Sequence, residues 1–232
     1  MDCRLYQEGM KRFLLHILMM IMAMGASAQS HQDLRDSLAK ASELLAYNVD
    51  SIDLRLKKAA WNIELKQWEY AKDDYDKVLF LQPDNLAALY YRAYVNERLG
   101  RYNFARRDYE SVLQQVPGNF EAQLGLALLN EKDHRKTEAM DMINRLINQY
   151  PDSAVAYAAR AGMERDRGMT ELAEYDYSEA IKRDPNNVDY LLARADVYII
   201  ENKKRLARKD LEQLEKLGVS RVALLDFYHR LK

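Results

Sequence analysis

The four prolines of this chain, Pro83, Pro117, Pro151 and Pro185, stand 34 residues apart, and no other proline occurs in its 232 residues. A fixed period of that size governs any local reading, because each period must be one small structural unit that recurs. Alanine stands 24 residues before each proline (Ala59, Ala93, Ala127, Ala161) and again 12 before it (Ala71, Ala105, Ala139, Ala173). Eight before it come Tyr75, Tyr109, Ile143 and Tyr177. A fifth unit keeps the frame with Ala195, Ala207 and Leu211, although Val219 takes the place of its proline.

Small residues at fixed positions suit two helices that approach closely, where a larger side chain overpacks the contact at a cost of about 1–3 kcal/mol. Apolar pairs such as Val78-Leu79, Val112-Leu113 and Leu146-Ile147 continue each unit at helical spacing, and a short break, with Gly100 in the second unit and Gly168 in the fourth, divides it. Each unit therefore reads as helix, tight turn, helix and a proline-marked turn. The spacing predicts helix pairs at 53–65/69–81, 86–99/102–115, 120–132/136–149, 154–167/170–183 and 187–201/204–217. A leading amphipathic helix is expected over 33–47 and a trailing one over 220–232, the latter with Val222, Leu225 and Leu231 on its apolar side. End helices of this kind cover the apolar face of a terminal repeat.

These residues resemble the tetratricopeptide repeat family: the 34-residue period, two small positions, an aromatic on the second helix and a terminal proline. The stretch Leu99-Gly-Arg-Tyr-Asn-Phe-Ala-Arg-Arg-Asp-Tyr-Glu-Ser-Val-Leu113 follows the family pattern throughout. Departures are Arg55, Leu89, Gln123, Tyr157 and Leu191 where an aromatic usually opens the first helix, and Asp133-His134-Arg135 in place of a glycine turn. The resemblance implies an all-α, right-handed solenoid of five 34-residue helix-turn-helix repeats (52–85, 86–119, 120–153, 154–187, 188–219) between a leading helix (29–51) and a trailing one (220–232).

A second regularity pairs Lys58 with Asp74, Arg92 with Asp108, Arg160 with Asp176 and Arg194 with Asp210, always 16 residues apart. In the third unit both partners change together, to Leu126 and Met142. These pairs read as bridges across each hairpin. Taken as exposed bridges they are worth about 0–1 kcal/mol each and set register more than stability.

Ahead of the repeats, Met10-Lys11-Arg12 precede the apolar run Phe13 to Met24 and the small residues Gly25-Ala26-Ser27-Ala28. A basic start, a short apolar core and a small-x-small site read as an export signal over residues 1–28, with Met10 as an alternative start. The run falls well short of the roughly 20 apolar residues that span a bilayer, so it reads as cleaved; retained, it would be an anchor. Cleavage removes Arg4, Lys11 and Arg12 against Asp2 and Glu8, and shifts the net charge from −1 to −2. It also removes Cys3, the only cysteine, so the processed chain has no thiol for a disulfide or a thiolate metal site. The expected location is the periplasm of a Gram-negative-type bacterium, or beyond.

Near-neutral charge gives no reason to expect nucleic acid. His31, His134 and His229 are scattered singly, no glycine-rich phosphate loop or nucleophile elbow occurs, and no catalytic, cofactor or metal site is expected. The expected function is protein interaction, as a scaffold or adaptor of the cell envelope. Alternatives are an assembly or chaperone-like subunit tethered by an uncleaved signal, and a regulator that binds cell-wall fragments or peptides.

In the resembled family the first helix of each repeat lines a concave groove where ligands lie. Carried over, the groove positions are Leu56, Ala60 and Ile63; Tyr90, Tyr94 and Glu97; Leu124, Leu128 and Glu131; Ala158, Gly162 and Arg165; Leu192, Asp196 and Ile199. The Lys and Asn clamp that some members use for acidic tails is absent, since Leu56, Ala60, Tyr90 and Tyr94 stand there. An apolar-aromatic stripe beside a small-residue hollow at Ala158 and Gly162 remains, which suits an apolar helix or extended segment. Tyr90 and Tyr94 can equally be packing residues between first helices.

Overall fold

A computed structural model describes residues 31–232. The expected export signal and cleavage site over residues 1–28, with Cys3 and Met10, lie outside the described residues. Among those described, every regular element is a helix. The helices are α1 (His31–Tyr47), α2 (Ile52–Glu64), α3 (Trp68–Leu81), α4 (Leu86–Arg98), α5 (Tyr102–Gln115), α6 (Phe120–Lys132), α7 (Lys136–Gln149), α8 (Ala154–Asp166), α9 (Thr170–Arg183), α10 (Val188–Ile200), α11 (Lys204–Lys216) and α12 (Leu225–Arg230). None of them is long and apolar enough to cross a membrane.

Two recurring loops set these boundaries. The proline turn ends a second helix, and two residues later a capping side chain starts the next first helix. Asn85, Asn119 and Asn187 accept through Oδ1, and Ser153 through Oγ, from the backbone N–H three residues on, at 2.7–3.2 Å. Such caps satisfy N–H groups that have no helical partner, and each is worth about 1 kcal/mol. The other loop ends each first helix with one left-handed residue, at Lys66, Gly100, His134, Gly168 and Asn202, with φ between 56° and 75°. The next N–H then bonds the carbonyl five residues back, as from Arg101 to Asn96 and from Arg135 to Asn130, both at 2.8 Å.

The chain forms two compact units, one ending at Pro117 and one from Gly118 to Lys232. In the first, α1 to α5 pack in chain order, each on the next. Its core is Ala59, Ala71, Tyr75, Val78, Leu89, Ala93, Val95, Ala105, Tyr109 and Val112, all buried. In the second, α6 to α11 likewise pack in order, and the first helices α6, α8 and α10 also touch one another. Its core runs from Ala127, Ile143 and Leu146 through Ala161 and Tyr177 to Leu191, Leu211 and Leu214. All ten period-marking alanines have no exposed surface, which is why a side chain of their size recurs there.

The cross-hairpin bridges form, but they are not exposed. Lys58 Nζ donates to Asp74 at 2.7 Å. Arg92 grips both oxygens of Asp108 at 2.7 and 2.8 Å, and Arg194 both of Asp210 at 2.8 and 2.9 Å. Arg160 holds Asp176 the same way. The four aspartates are buried, so the expectation of exposed bridges is corrected: these are carboxylates sunk between helices, with the cation at the rim.

Each arginine also reaches back 16 residues, to the preceding second helix. Arg92 Nη1 bonds Asp76 at 2.8 Å, Arg160 Nη1 bonds Asn144 at 2.8 Å and Arg194 Nη1 bonds Ser178 at 3.1 Å. One guanidinium thus ties three helices, a use of its planar fork that a lysine cannot copy.

The trailing helix differs from its sequence pattern. Ser220 to Leu224 form tight turns, with N–H groups of Ala223, Leu224 and Leu225 bonding the carbonyls three residues back. Helix begins only at Leu225. Leu224 and Leu231 are the residues that become buried against the last core cluster, while Val222 and Leu225 stay exposed.

Candidate partner-binding face

The residues carried over from the family groove lie on α2, α4, α6, α8 and α10, the first helices of the hairpins. Every one of the fifteen is half-buried: none is sunk in the core and none stands clear in solvent. A side chain held on one side and open on the other is what a recognition surface requires, because little conformational freedom is left to lose on binding.

In the first unit, Leu56, Ala60 and Ile63 lie along α2, and Tyr90, Tyr94 and Glu97 along α4. The Tyr94 ring meets Trp68 of α3 edge-on, with centroids 6.2 Å apart, and the Arg98 guanidinium lies 5.2 Å from the same indole. Tyr90 meets Tyr91 and Tyr109 edge-on at 5.2 and 5.7 Å. Burial, and then the proximity of Tyr90 and Glu97, push the Tyr109 hydroxyl far above its ordinary range, so it stays neutral. Tyr91, which the sequence pattern did not single out, stacks on buried Tyr75 at 6.2 Å. Both groove tyrosines are therefore braced by packing while part of each remains accessible.

In the second unit, Leu124 and Leu128 cover the cluster around Ala127 and Ile143, and Leu192 and Ile199 cover the cluster around Leu191. The polar positions are engaged within the unit. Glu131 pairs with Arg167, which also donates to the Lys136 carbonyl at 2.8 Å. Arg165 bonds Asp166 at 2.9 Å. Asp196 accepts from Arg230 of α12 at 2.7 Å, so the last helix of the chain is tied to the fifth repeat's candidate position. Ala158 packs against the cluster of Ala161, Ala173, Tyr177 and Val197, and a Cβ built on Gly162 would stand 3.6 Å from the Tyr177 hydroxyl. That is ordinary contact, so the hollow beside Gly162 has room for a methyl group.

Sequence reading missed a buried polar position one residue after the floor of each first helix: Asn62, Asn96, Asn130, Glu164 and Tyr198, again 34 residues apart. The period alone could have found it. At Glu164, burial first and the neighbouring Asp176 second push the carboxyl up to about 7, against the pull of Arg160 and Arg167. No group of three His, Cys, Asp or Glu side chains converges as a metal site would need, among the described residues.

Comparison with known proteins places this geometry. A family model described as tetratricopeptide repeat matches residues 97–162. A solved tetratricopeptide repeat protein from Parabacteroides merdae is similar over 90% of this chain and 82% of its own, at 22% identity and a TM-score of 0.76. PilW, described as a widely conserved type IV pilus biogenesis factor, is similar over 85% of this chain and 92% of its own, at 19% identity and a TM-score of 0.67. YrrB, described as a TPR protein with an unusual peptide-binding site, is similar over 80% of this chain and 96% of its own, at 17% identity and a TM-score of 0.51. The search of curated proteins gave no match. Helical hairpins of 34 residues, alanines at both close-contact positions and the matching family model together show tetratricopeptide repeats at residues 97–162 and the tetratricopeptide repeat fold across the described helices.

Proposed function

We propose that this protein is a scaffold of the bacterial cell envelope that takes a segment of a protein partner along the half-exposed face of its first helices. The observation that carries this reading is the apolar-aromatic stripe of Leu56, Ile63, Tyr90 and Tyr94, ordered by packing yet open on one side. Tyrosine suits such a surface, offering a large rigid ring with a polar tip. In the second unit, Leu124 and Leu128 give α6 an apolar character of its own. Ala158 and Gly162 leave a hollow beside the Tyr177 hydroxyl. Glu97 stands beside the stripe on α4, and Glu131, Arg165, Leu192 and Asp196 stand on the first helices of the second unit, where Glu131, Arg165 and Asp196 already hold internal partners and act as a frame. A peptide-binding relative of the same fold supports a peptide-like ligand. The apolar run and small-residue site before residue 29 support delivery to the envelope.

The test is the double substitution Tyr90→Ala/Tyr94→Ala, used as bait in an envelope extract beside the wild type. Helicity is checked first, since both rings also pack. A helical double variant should lose partners that the wild type captures. Recovery of every partner at wild-type level would end the proposal.

A further inference from the structure

The last second helix, α11, differs from the other four in where its charges stand. Its first, second, fifth and sixth residues are Lys204, Arg205, Arg208 and Lys209, all exposed. The same four positions carry Lys72 alone in α3, Arg106 and Arg107 in α5, Lys136 alone in α7 and no cation in α9. From Lys203 to the chain end there are nine Lys or Arg against four Asp or Glu, in a chain whose net charge is −1.

Nothing inside the molecule accounts for this concentration. Among the described residues Arg205, Arg208 and Lys209 make no ion pair, and Lys204 donates only to the Lys232 carbonyl at 3.1 Å. Asp210, the nearest carboxylate in sequence, is already taken by Arg194. Cations in the first turn also oppose the helix dipole, whose positive end lies there. α3, α7 and α9 open with Glu69, Glu138 and Glu171, the arrangement the dipole favours. Lys204 and Arg205 therefore work against the stability of the helix that carries them.

We infer that the outer face of α11 is a docking strip for a short acidic segment of a protein partner, a surface separate from the first-helix face. The cations span about 7 Å along the axis, close to the spacing of alternate side chains in an extended chain or of residues four apart in a helix. Their charge complements carboxylates and steers their approach. A shallow depression of about 500 Å³ at Asn202–Leu206 opens at the start of the strip. A segment is favoured over a bilayer or duplex because α9 presents exposed Glu171, and Glu174 already holds Lys203. An extended anionic surface would have to cover those carboxylates, whereas a short segment along α11 need not.

The probe is a fluorescein-labelled deca-glutamate peptide, titrated by fluorescence polarisation with the whole chain. The wild type should bind saturably, and binding should weaken about tenfold or more as salt rises to about 0.3 M. The variant Lys204→Glu/Arg205→Glu/Arg208→Glu/Lys209→Glu should lose at least about tenfold, with a melting temperature not below wild type because its acids now suit the dipole. Should that variant misfold, Arg205→Gln/Arg208→Gln replaces it and should lose about threefold or more. A set in the first unit with the same charge change, Lys40→Glu/Lys57→Glu/Lys66→Glu/Lys77→Glu, should keep binding within about twofold. The Tyr90→Ala/Tyr94→Ala variant should keep it as well, which separates this strip from the first-helix face. No saturable binding, or equal loss in both fourfold variants, would overturn the inference. So would tighter binding, through the same strip, of phosphatidylglycerol vesicles or of a DNA duplex than of the peptide.

Discussion

Replacing Arg92 with leucine tests how the buried bridges hold the hairpins. Arg92→Leu removes two hydrogen bonds to Asp108 and one to Asp76. Asp76 keeps Lys72 at 2.7 Å and is partly exposed, so it loses little. Asp108 is different: its side chain is only 7% exposed and would be left beside an apolar neighbour. Stranding one partner of a buried pair costs about 3–5 kcal/mol. The arginine is 24% exposed, so water can reach the vacated rim, and about 2–4 kcal/mol is the better figure. The third repeat supplies the rescue, because Leu126 and Met142 stand where Arg92 and Asp108 stand. Arg92→Leu/Asp108→Met copies that solution and should return to within about 1 kcal/mol of wild type, since apolar replacement of a buried pair is often neutral. The assay is urea unfolding followed by tryptophan fluorescence, because both tryptophans, Trp61 and Trp68, lie in the unit that holds the bridge. A coupling energy of about 2 kcal/mol is expected from the cycle. A single variant costing under about 1 kcal/mol, or a double variant as unstable as the sum of its parts, would refute the reasoning.

His134 adopts a left-handed conformation with φ 61°, so His134→Gly should stabilise the chain by about 1 kcal/mol, read as a higher urea midpoint. Gly162→Ala should raise helix stability by about 0.5–1 kcal/mol, because the added methyl meets only the Tyr177 hydroxyl at ordinary contact distance. If the hollow receives a partner side chain, the same variant should capture less partner at undiminished stability. Glu164 titrates near 7 in the fold against 4.5 as a free carboxyl. The folded chain therefore holds that proton more tightly, and the stabilisation is full below about pH 4.5 and lost as pH rises through about 7. Urea midpoints at pH 5 and pH 8 should differ less in Glu164→Gln than in wild type.

The helix bounds were legible because prolines and left-handed residues punctuate every period. The expected pairs fall within two residues of the observed helices, and Pro83 with Asn85 shows why: stop and start signals stand two residues apart. The depth of the bridges was not legible. A Lys or Arg 16 residues from an Asp has the same pattern whether the carboxylate faces solvent or a cleft between helices, and only packing sank Asp176 and Asp210. The candidate face was legible as a set of positions, since periodicity assigns Tyr90 and Leu124 to equivalent faces. What each side chain touches was not. Glu131 finds Arg167 at a separation of 36 and Asp196 finds Arg230 at 34, pairings across a whole repeat that no helical spacing announces. The sequence pattern starts the trailing helix at Ser220, whereas Ser220 to Leu224 close i→i+3 turns and helix begins only at Leu225.

The double reach of the arginines has a consequence for how chains of this kind can change length. Arg92, Arg160 and Arg194 each contact residues 16 before and 16 after themselves. One residue inserted inside the carrying helix turns everything beyond it by about 100°, and the fork then faces away from one partner or the other. An added residue in the stretch between a proline and its capping Asn or Ser leaves each helix's own face intact. Insertions and deletions in descendants of this sequence should therefore collect at the proline turns, or arrive as whole 34-residue blocks, which keep both reaches in register.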